Sequence, residues 1–159
     1  MTPPPNRAQR EPVGASGVQA PDVHVEVVPM TSDEQAIRNL VALWHGATAN
    51  GDVDAVLELM AEDVVFLVAG RPPMRGRGAF ESGLRKLLAT HRIESTGEVQ
   101  EVRISGSLAY CWTQLAVRIV PRTGGPAATR AGSALSILSK QASGAWLLVR
   151  DANMLPPAA

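Results

Sequence analysis

The chain reads as an α+β domain in which three N-terminal helices pack on one face of a curved, mainly antiparallel sheet. Three observations carry that reading. Two amphipathic stretches meet at Asn50-Gly51-Asp52, the β-branched and aromatic run Val64-Val65-Phe66-Leu67-Val68 follows, and the last third alternates like strands between turn signals. Helices first and antiparallel strands after place the helices together against one sheet. At 159 residues the chain suffices for one domain with one core.

Residues 1–30 stand apart. They hold six prolines and no sustained periodicity, so they cannot bury enough apolar surface to offset their ordering entropy. A disordered tail is expected there, with Val23 to Val28 as a minor edge-strand candidate. The domain is expected over 31–155, with 156–159 as a second short tail.

The first helix starts at Thr31-Ser32-Asp33-Glu34-Gln35, which has the spacing of a reciprocal N-terminal cap. Ile37, Leu40, Val41, Trp44 and Thr48 then mark one buried face. Gly51 stops the helix because it can turn left-handed, and Asp52 can cap a second helix with Val56, Leu59 and Met60 inside. So short a connection predicts an antiparallel helical hairpin.

Val64 to Val68 lacks polar alternation, which predicts an edge strand of the module buried on both faces. Pro72-Pro73 opens a loop. A third helix follows Gly76 and Gly78, with Phe80, Leu84, Leu87, Leu88 and His91 at helical spacing. Val99 to Ile104, a three-residue turn Ser105-Gly106-Ser107 and Leu108 to Val120 predict a hairpin. Along the long strand, Tyr110, Trp112, Gln114 and Arg118 share one face, while Cys111, Thr113, Leu115, Val117 and Ile119 share the other. Thr129 to Lys140 and Ala145 to Met154 predict a second hairpin.

Composition excludes several classes of function. The 15 basic and 15 acidic residues cancel, leaving no basic footprint for nucleic acid. No apolar run approaches the roughly 18 residues of a membrane span, and no secretory apolar core is present. The single Cys111 allows no internal disulfide and fits a cytoplasmic protein. No HxH, HExxH or cysteine pair suggests a metal, and no glycine-rich phosphate loop or Gly-x-Ser-x-Gly elbow suggests a nucleotide or a nucleophile. No cofactor is expected.

Trp44 and Asn50-Gly51-Asp52, then Leu59-Met60-Ala61-Glu62-Asp63-Val64-Val65-Phe66, then Met74-Arg75-Gly76 before a helix, together resemble the NTF2-like (SnoaL-like, cystatin-like) superfamily. That group includes ketosteroid isomerase, polyketide cyclases, dehydratases and epoxide hydrolases. The closing Gly144-Ala145-Trp146-Leu147-Leu148-Val149-Arg150-Asp151 most resembles the DUF4440 branch that includes enediyne-pathway accessory proteins. The resemblance implies a cone-shaped α+β barrel and a homodimer. Fold alone does not name a reaction. Where the isomerase has its oxyanion tyrosine this chain has Trp44, where it has its base aspartate there is Val68, and its second oxyanion acid falls near Ala134 to Ser136. Isomerisation by that mechanism is excluded.

The remaining polar candidates are few. His45 lies about 100° around the helix from the buried stripe and can act as a general base or pack at the mouth of the cone. Asp151 is the best carboxylate for acid–base work, or else one half of a strand-end ion pair. Asn153 shares its face by alternation and Arg150 takes the other, with either side free to meet the pocket. Arg71 and Arg75 lie at a rim or on a solvated loop. Tyr110, Trp112 and Gln114 suit either stacking on a flat ligand or a sheet-to-sheet contact. With Trp44, Phe66, Met74 and Phe80 they predict a pocket for a small apolar or aromatic metabolite. The expected role is an accessory protein of bacterial, polyketide-type metabolism that binds or transforms such a molecule without a cofactor. The alternatives are a non-catalytic dimeric interaction domain with a filled cone, and an isomerase, dehydratase or epoxide hydrolase.

Overall fold

A computed structural model describes residues 30–158. The expected N-terminal tail and the Val23 to Val28 strand lie outside these residues. Helix α1 (Ser32–Asn50) begins where Thr31 Oγ1 accepts the Glu34 amide at 3.1 Å. Only half of the reciprocal cap forms, because the Glu34 carboxylate turns to Arg38 one turn on, at 3.0 Å. Gly51, at φ 69°, ends the helix in the left-handed conformation a side chain would resist. Asp52 accepts the Ala55 amide and starts α2 (Val53–Leu57).

The second helix is shorter than its apolar spacing predicts. Met60 is not on it but opens strand β1 (Met60–Val68), and Leu59 already accepts a backbone hydrogen bond from Leu148 at 2.9 Å. Sheet pairing wins over a local helical pattern here. Strand β2 (Met74–Arg75), in what reads as a loop, pairs on the outer side of β1, so β1 is not the edge. Helix α3 (Arg77–Thr90) follows, and His91 leaves it to begin β3 (His91–Ser105). The first half of β3 escapes sequence reading because it is polar. It is an edge strand whose outward side holds the Arg92–Glu94–Arg118 ion pairs instead of apolar residues.

Strands β4 (Leu108–Pro121), β5 (Ala128–Lys140) and β6 (Trp146–Met154) complete a six-stranded sheet of order β2-β1-β6-β5-β4-β3. The β3–β4 turn holds two residues rather than three, since Ser105 pairs with Leu108 and Gly106 takes φ 61°. All neighbours are antiparallel except β1 and β6. Residues 156–158, expected to be a tail, run beside β5: Ala131 donates to Pro156 O, and Ala158 donates to Thr129 O. Gly132 makes this possible, because a Cβ there would collide with the Met154 carbonyl.

The helices cover the concave face, as expected for the α+β cone. One core cluster joins α2, α3 and β1 through Val56, Met60, Val64, Phe66 and Leu84. A second joins Ile37 and Leu40 of α1 to Ala109, Cys111, Leu138 and Trp146. Asp33 fastens the start of α1 to the β5–β6 hairpin, accepting from Trp146 Nε1 at 3.0 Å and pairing with Lys140 Nζ at 3.0 Å. Ile37 is fully buried at the centre of this seam. Ile37→Ala should therefore cost about 2–5 kcal/mol through lost contacts and a residual cavity. A chemical-denaturation midpoint measures it, and an unchanged midpoint would show that α1 contributes little to the fold.

Candidate functional site

An open cavity of about 830 Å³ lies between α1, α3 and the concave sheet face, so the cone is not filled by its own side chains. Its apolar wall is an aromatic cluster drawn from three elements. Trp44 lies 5.6 Å from Phe80 and 6.2 Å from Phe66, and the two phenylalanine rings stack at 4.7 Å. Met74 of β2 also lines this wall, its Cε held close over Gly83 of α3. Cys111, Thr113, Leu115, Val117 and Ile119 of β4 also line the cavity, on the strand face away from Tyr110 and Trp112.

A β-bulge decides which β6 side chains enter. Ile137 pairs with Arg150 but Leu138 pairs with Leu148, so one extra residue sits at Val149. Strict alternation from Leu148 would point Arg150 inward. The bulge instead gives Leu148, Asp151 and Asn153 a common face on the cavity. Arg150 is thereby turned away, donating to the Asp63 carbonyl at 3.0 Å, and is not a pocket residue.

Asp151 receives one hydrogen bond, from Ser136 Oγ at 2.7 Å, across the register that pairs these two residues. Among the described residues it has no cationic partner, so the strand-end ion pair is not formed. Burial pushes its pKa up to about 6, with the Ser136 hydroxyl opposing the shift. A carboxyl group so placed can both give and take a proton near neutral pH. His45 lines the same cavity, with a hydrogen bond of 2.6 Å joining its Nδ1 to Ser95 Oγ. Burial lowers its pKa from 6.5, favouring the neutral imidazole. The ring lies against Gly97, where any Cβ would collide with it; the missing side chain is what admits the imidazole. Cys111 is buried and its thiol pushed up by burial, which makes it an inert wall residue.

Three more expected ligand contacts are elsewhere. Tyr110, Trp112 and Gln114 lie on the convex face, where Tyr110 Oη donates to Glu101 at 2.7 Å while Trp112 Nε1 and Gln114 Nε2 both donate to Ser133 Oγ. The helices cover the other face of β4 because its narrow Ala109, Cys111 and Thr113 let them approach closely. Of the expected residues, the cavity gathers Trp44, His45, Phe66, Met74, Phe80, Asp151 and Asn153. It adds Ser95, Thr113 and Ser136. Ser136 meets Asp151 only through the bulge, which no local pattern announces, and Ser95 lies in the polar first half of β3. Among the described residues no group of three or more His, Cys, Asp or Glu side chains is placed to hold a metal ion, and no helix is long and apolar enough to cross a membrane.

Residues 37–140 match the model of a family described as the SnoaL-like domain. A conserved protein from Planctomyces limnophilus is similar in structure at a TM-score of 0.76, with 36% identity over 79% of this chain and 98% of that one. A ketosteroid isomerase-like protein from Erwinia carotovora atroseptica gives 0.70, with 20% identity over 82% and 99%. An NTF2-like superfamily protein from Salmonella enterica serovar Typhimurium gives 0.66, with 15% identity over 80% and 92%. The last two likenesses show the fold alone. No curated protein matches the chain.

The Asp151 shift has a thermodynamic signature. The folded chain holds this proton more tightly than the unfolded chain, whose carboxyl titrates near 3.8. Its stabilising contribution is full below that value and is lost as pH rises through about 6, about 3 kcal/mol in all. Asp151→Asn should thus leave the Tm near wild type at about pH 4 and raise it by several degrees at about pH 8. A Tm difference independent of pH would contradict the burial of this carboxyl.

Proposed function

Because the chain belongs to the SnoaL-like domain family, we propose that it binds a small apolar or aromatic metabolite in the cone and moves a proton on it without a cofactor. The observation that supports this reading is Asp151, a carboxyl group without a cationic partner among the described residues, set in the wall of an open apolar cavity with a pKa of about 6. Trp44, Phe66 and Phe80 offer ring faces to a flat ligand, and Asp151 takes or returns a proton at its reacting carbon or oxygen. Neutral His45, held by Ser95, serves as a second proton acceptor or as a hydrogen-bond partner for the ligand. The family includes isomerases and dehydratases, whose reactions need such proton transfers. The DUF4440-like closing strand supports a narrower placement beside the enediyne accessory proteins, with a polyketide-type metabolite as ligand.

A thermal-shift panel of flat aromatic polyketides, steroids and terpenoid epoxides tests the binding. A ligand at 100 times its Kd stabilises by about 2.7 kcal/mol, several degrees in a domain of this size. Trp44→Ala should abolish the shift. Asp151→Asn should keep binding while stopping deuterium exchange into the bound ligand, followed by NMR. Binding with no exchange in the wild type would favour a carrier over an enzyme, and no shift across the panel would count against both.

The convex face supports a homodimer as part of the same proposal. Trp112, Leu135, Ala152 and Leu67 lie side by side across β4, β5, β6 and β1, making one lateral apolar row. Trp112 and Leu135 are each 39% exposed and Leu67 45%, so the row meets solvent in a single copy. A second copy docked face to face would cover it with the same row, the self-complementary contact of a two-fold dimer. Light scattering should find a dimer in the wild type and a monomer for Trp112→Glu/Leu135→Glu. A wild-type monomer at all concentrations would remove the dimer.

A further inference from the structure

The open end of the cavity carries charge that the rest of the chain does not predict. Across the sequence, 15 basic residues balance 15 acidic ones, and six of the 13 lysines and arginines among the described residues pair with carboxylates. Arg38, Arg85, Arg92, Arg103, Arg118 and Lys140 all pair with carboxylates. The three lysine and arginine side chains that line the cavity among the described residues are not in that set. Arg71, Lys86 and Arg130 belong to the turn after β1, to α3 and to β5, and none pairs with a carboxylate among the described residues.

Topology puts them around one opening. Arg71 follows the C-terminal end of β1, where its amide closes a turn onto the Val68 carbonyl. Val68 is level with Asn153 near the end of β6. Arg130 lies early in β5, opposite Val117 and bridged to Pro157, with its Nη1 donating to the Leu155 carbonyl. Lys86 is in the last turns of α3, just ahead of His91 where β3 begins. All three are exposed, so an anion meeting them keeps much of its water. Among the described residues the one acidic side chain in the lining is Asp151, which lies on the strand further in than Asn153.

We propose that the ligand is an amphipathic carboxylic acid, bound with its apolar body among Trp44, Phe66 and Phe80 and its carboxylate at the mouth between Arg71, Lys86 and Arg130. This rests on the reading of the cavity as a ligand site and fixes the class and the orientation of what it takes. Two opposite charges set the orientation. Three cations at the rim attract the head group, and the Asp151 carboxyl inside disfavours the reversed pose. The guanidinium groups of Arg71 and Arg130 also suit two-point contact with a carboxylate, which a neutral head group cannot reproduce.

The test uses a matched fluorescent pair, 1-pyrenebutyric acid and 1-pyrenebutanol, titrated into the full chain. The acid should bind about ten-fold more tightly than the alcohol at low salt, and the gap should narrow at about 0.5 M salt. Arg71→Gln/Lys86→Gln/Arg130→Gln should weaken the acid to the level of the alcohol and leave the alcohol unchanged. Should the triple variant fold poorly by circular dichroism, Arg71→Gln/Lys86→Gln should still lose most of the gap. Removing Arg92 and Arg103 in the same way should leave it intact. Equal affinities in the wild type, or a gap that survives removal of the rim charges, would overturn the proposal while leaving the cavity reading standing. If neither probe binds, or if Trp44→Ala leaves both titrations unchanged, the cavity reading falls and the anion site falls with it.

Discussion

The parallel pairing of β1 with β6 is the constraint on which the site depends. It joins the helical hairpin at one end of the domain to the last strand at the other. Phe66 is thereby level with Asp151, and Val68 with Asn153. Phe66 of the aromatic wall and Asp151 are 85 residues apart in sequence, and this ladder lays them side by side. Parallel strands are stable when both faces are covered, which fits the burial of Val64, Val65 and Phe66. The small β2 completes the arrangement by occupying the free edge of β1.

How much of this could be read from the sequence follows from where the deciding physics is local. Thr31, Gly51 and Asp52 act within a few residues of themselves, and each does in the structure what its chemistry suggests. Met60 and His91 fit helical spacing, but their backbones are claimed by strands distant in sequence, and no local pattern shows that. The first half of β3 is polar because one edge-strand face is solvated, so a reading that seeks alternating apolar residues passes over it. The same limit governed the site. Trp44, Phe66 and Phe80 are large side chains on the buried sides of their elements and were legible as pocket residues. Tyr110 and Trp112 are equally large, yet β4 turns its small side inward because the helices need room there. Residue size alone marks a side chain as consequential without saying which surface it serves.

Burial shifts the two best chemical groups in opposite directions. It raises the Asp151 pKa and lowers that of His45, because in both cases the charged form loses hydration. The two residues are held by separate hydroxyl partners, Ser136 of β5 and Ser95 of β3. Neither group neutralises the other, and both stay available to a third molecule. A cavity arranged in this way has acid–base capacity without a fixed ion pair to be broken on binding.

The extra residue at Val149 makes the chemistry of the site a matter of counting. Every side chain after the bulge is assigned inside or outside by a single insertion in the ladder. If the ladder closed up without the bulge, Val149 would pair with Ile137, and Arg150 and Ala152 would take the inner positions of Asp151 and Asn153. The wall would go from acidic to basic with no substitution at all. For a fold that hosts many reactions, a one-residue shift of register in its last strand is thus a short evolutionary route between chemistries, and one that comparisons of aligned residue identities alone would overlook.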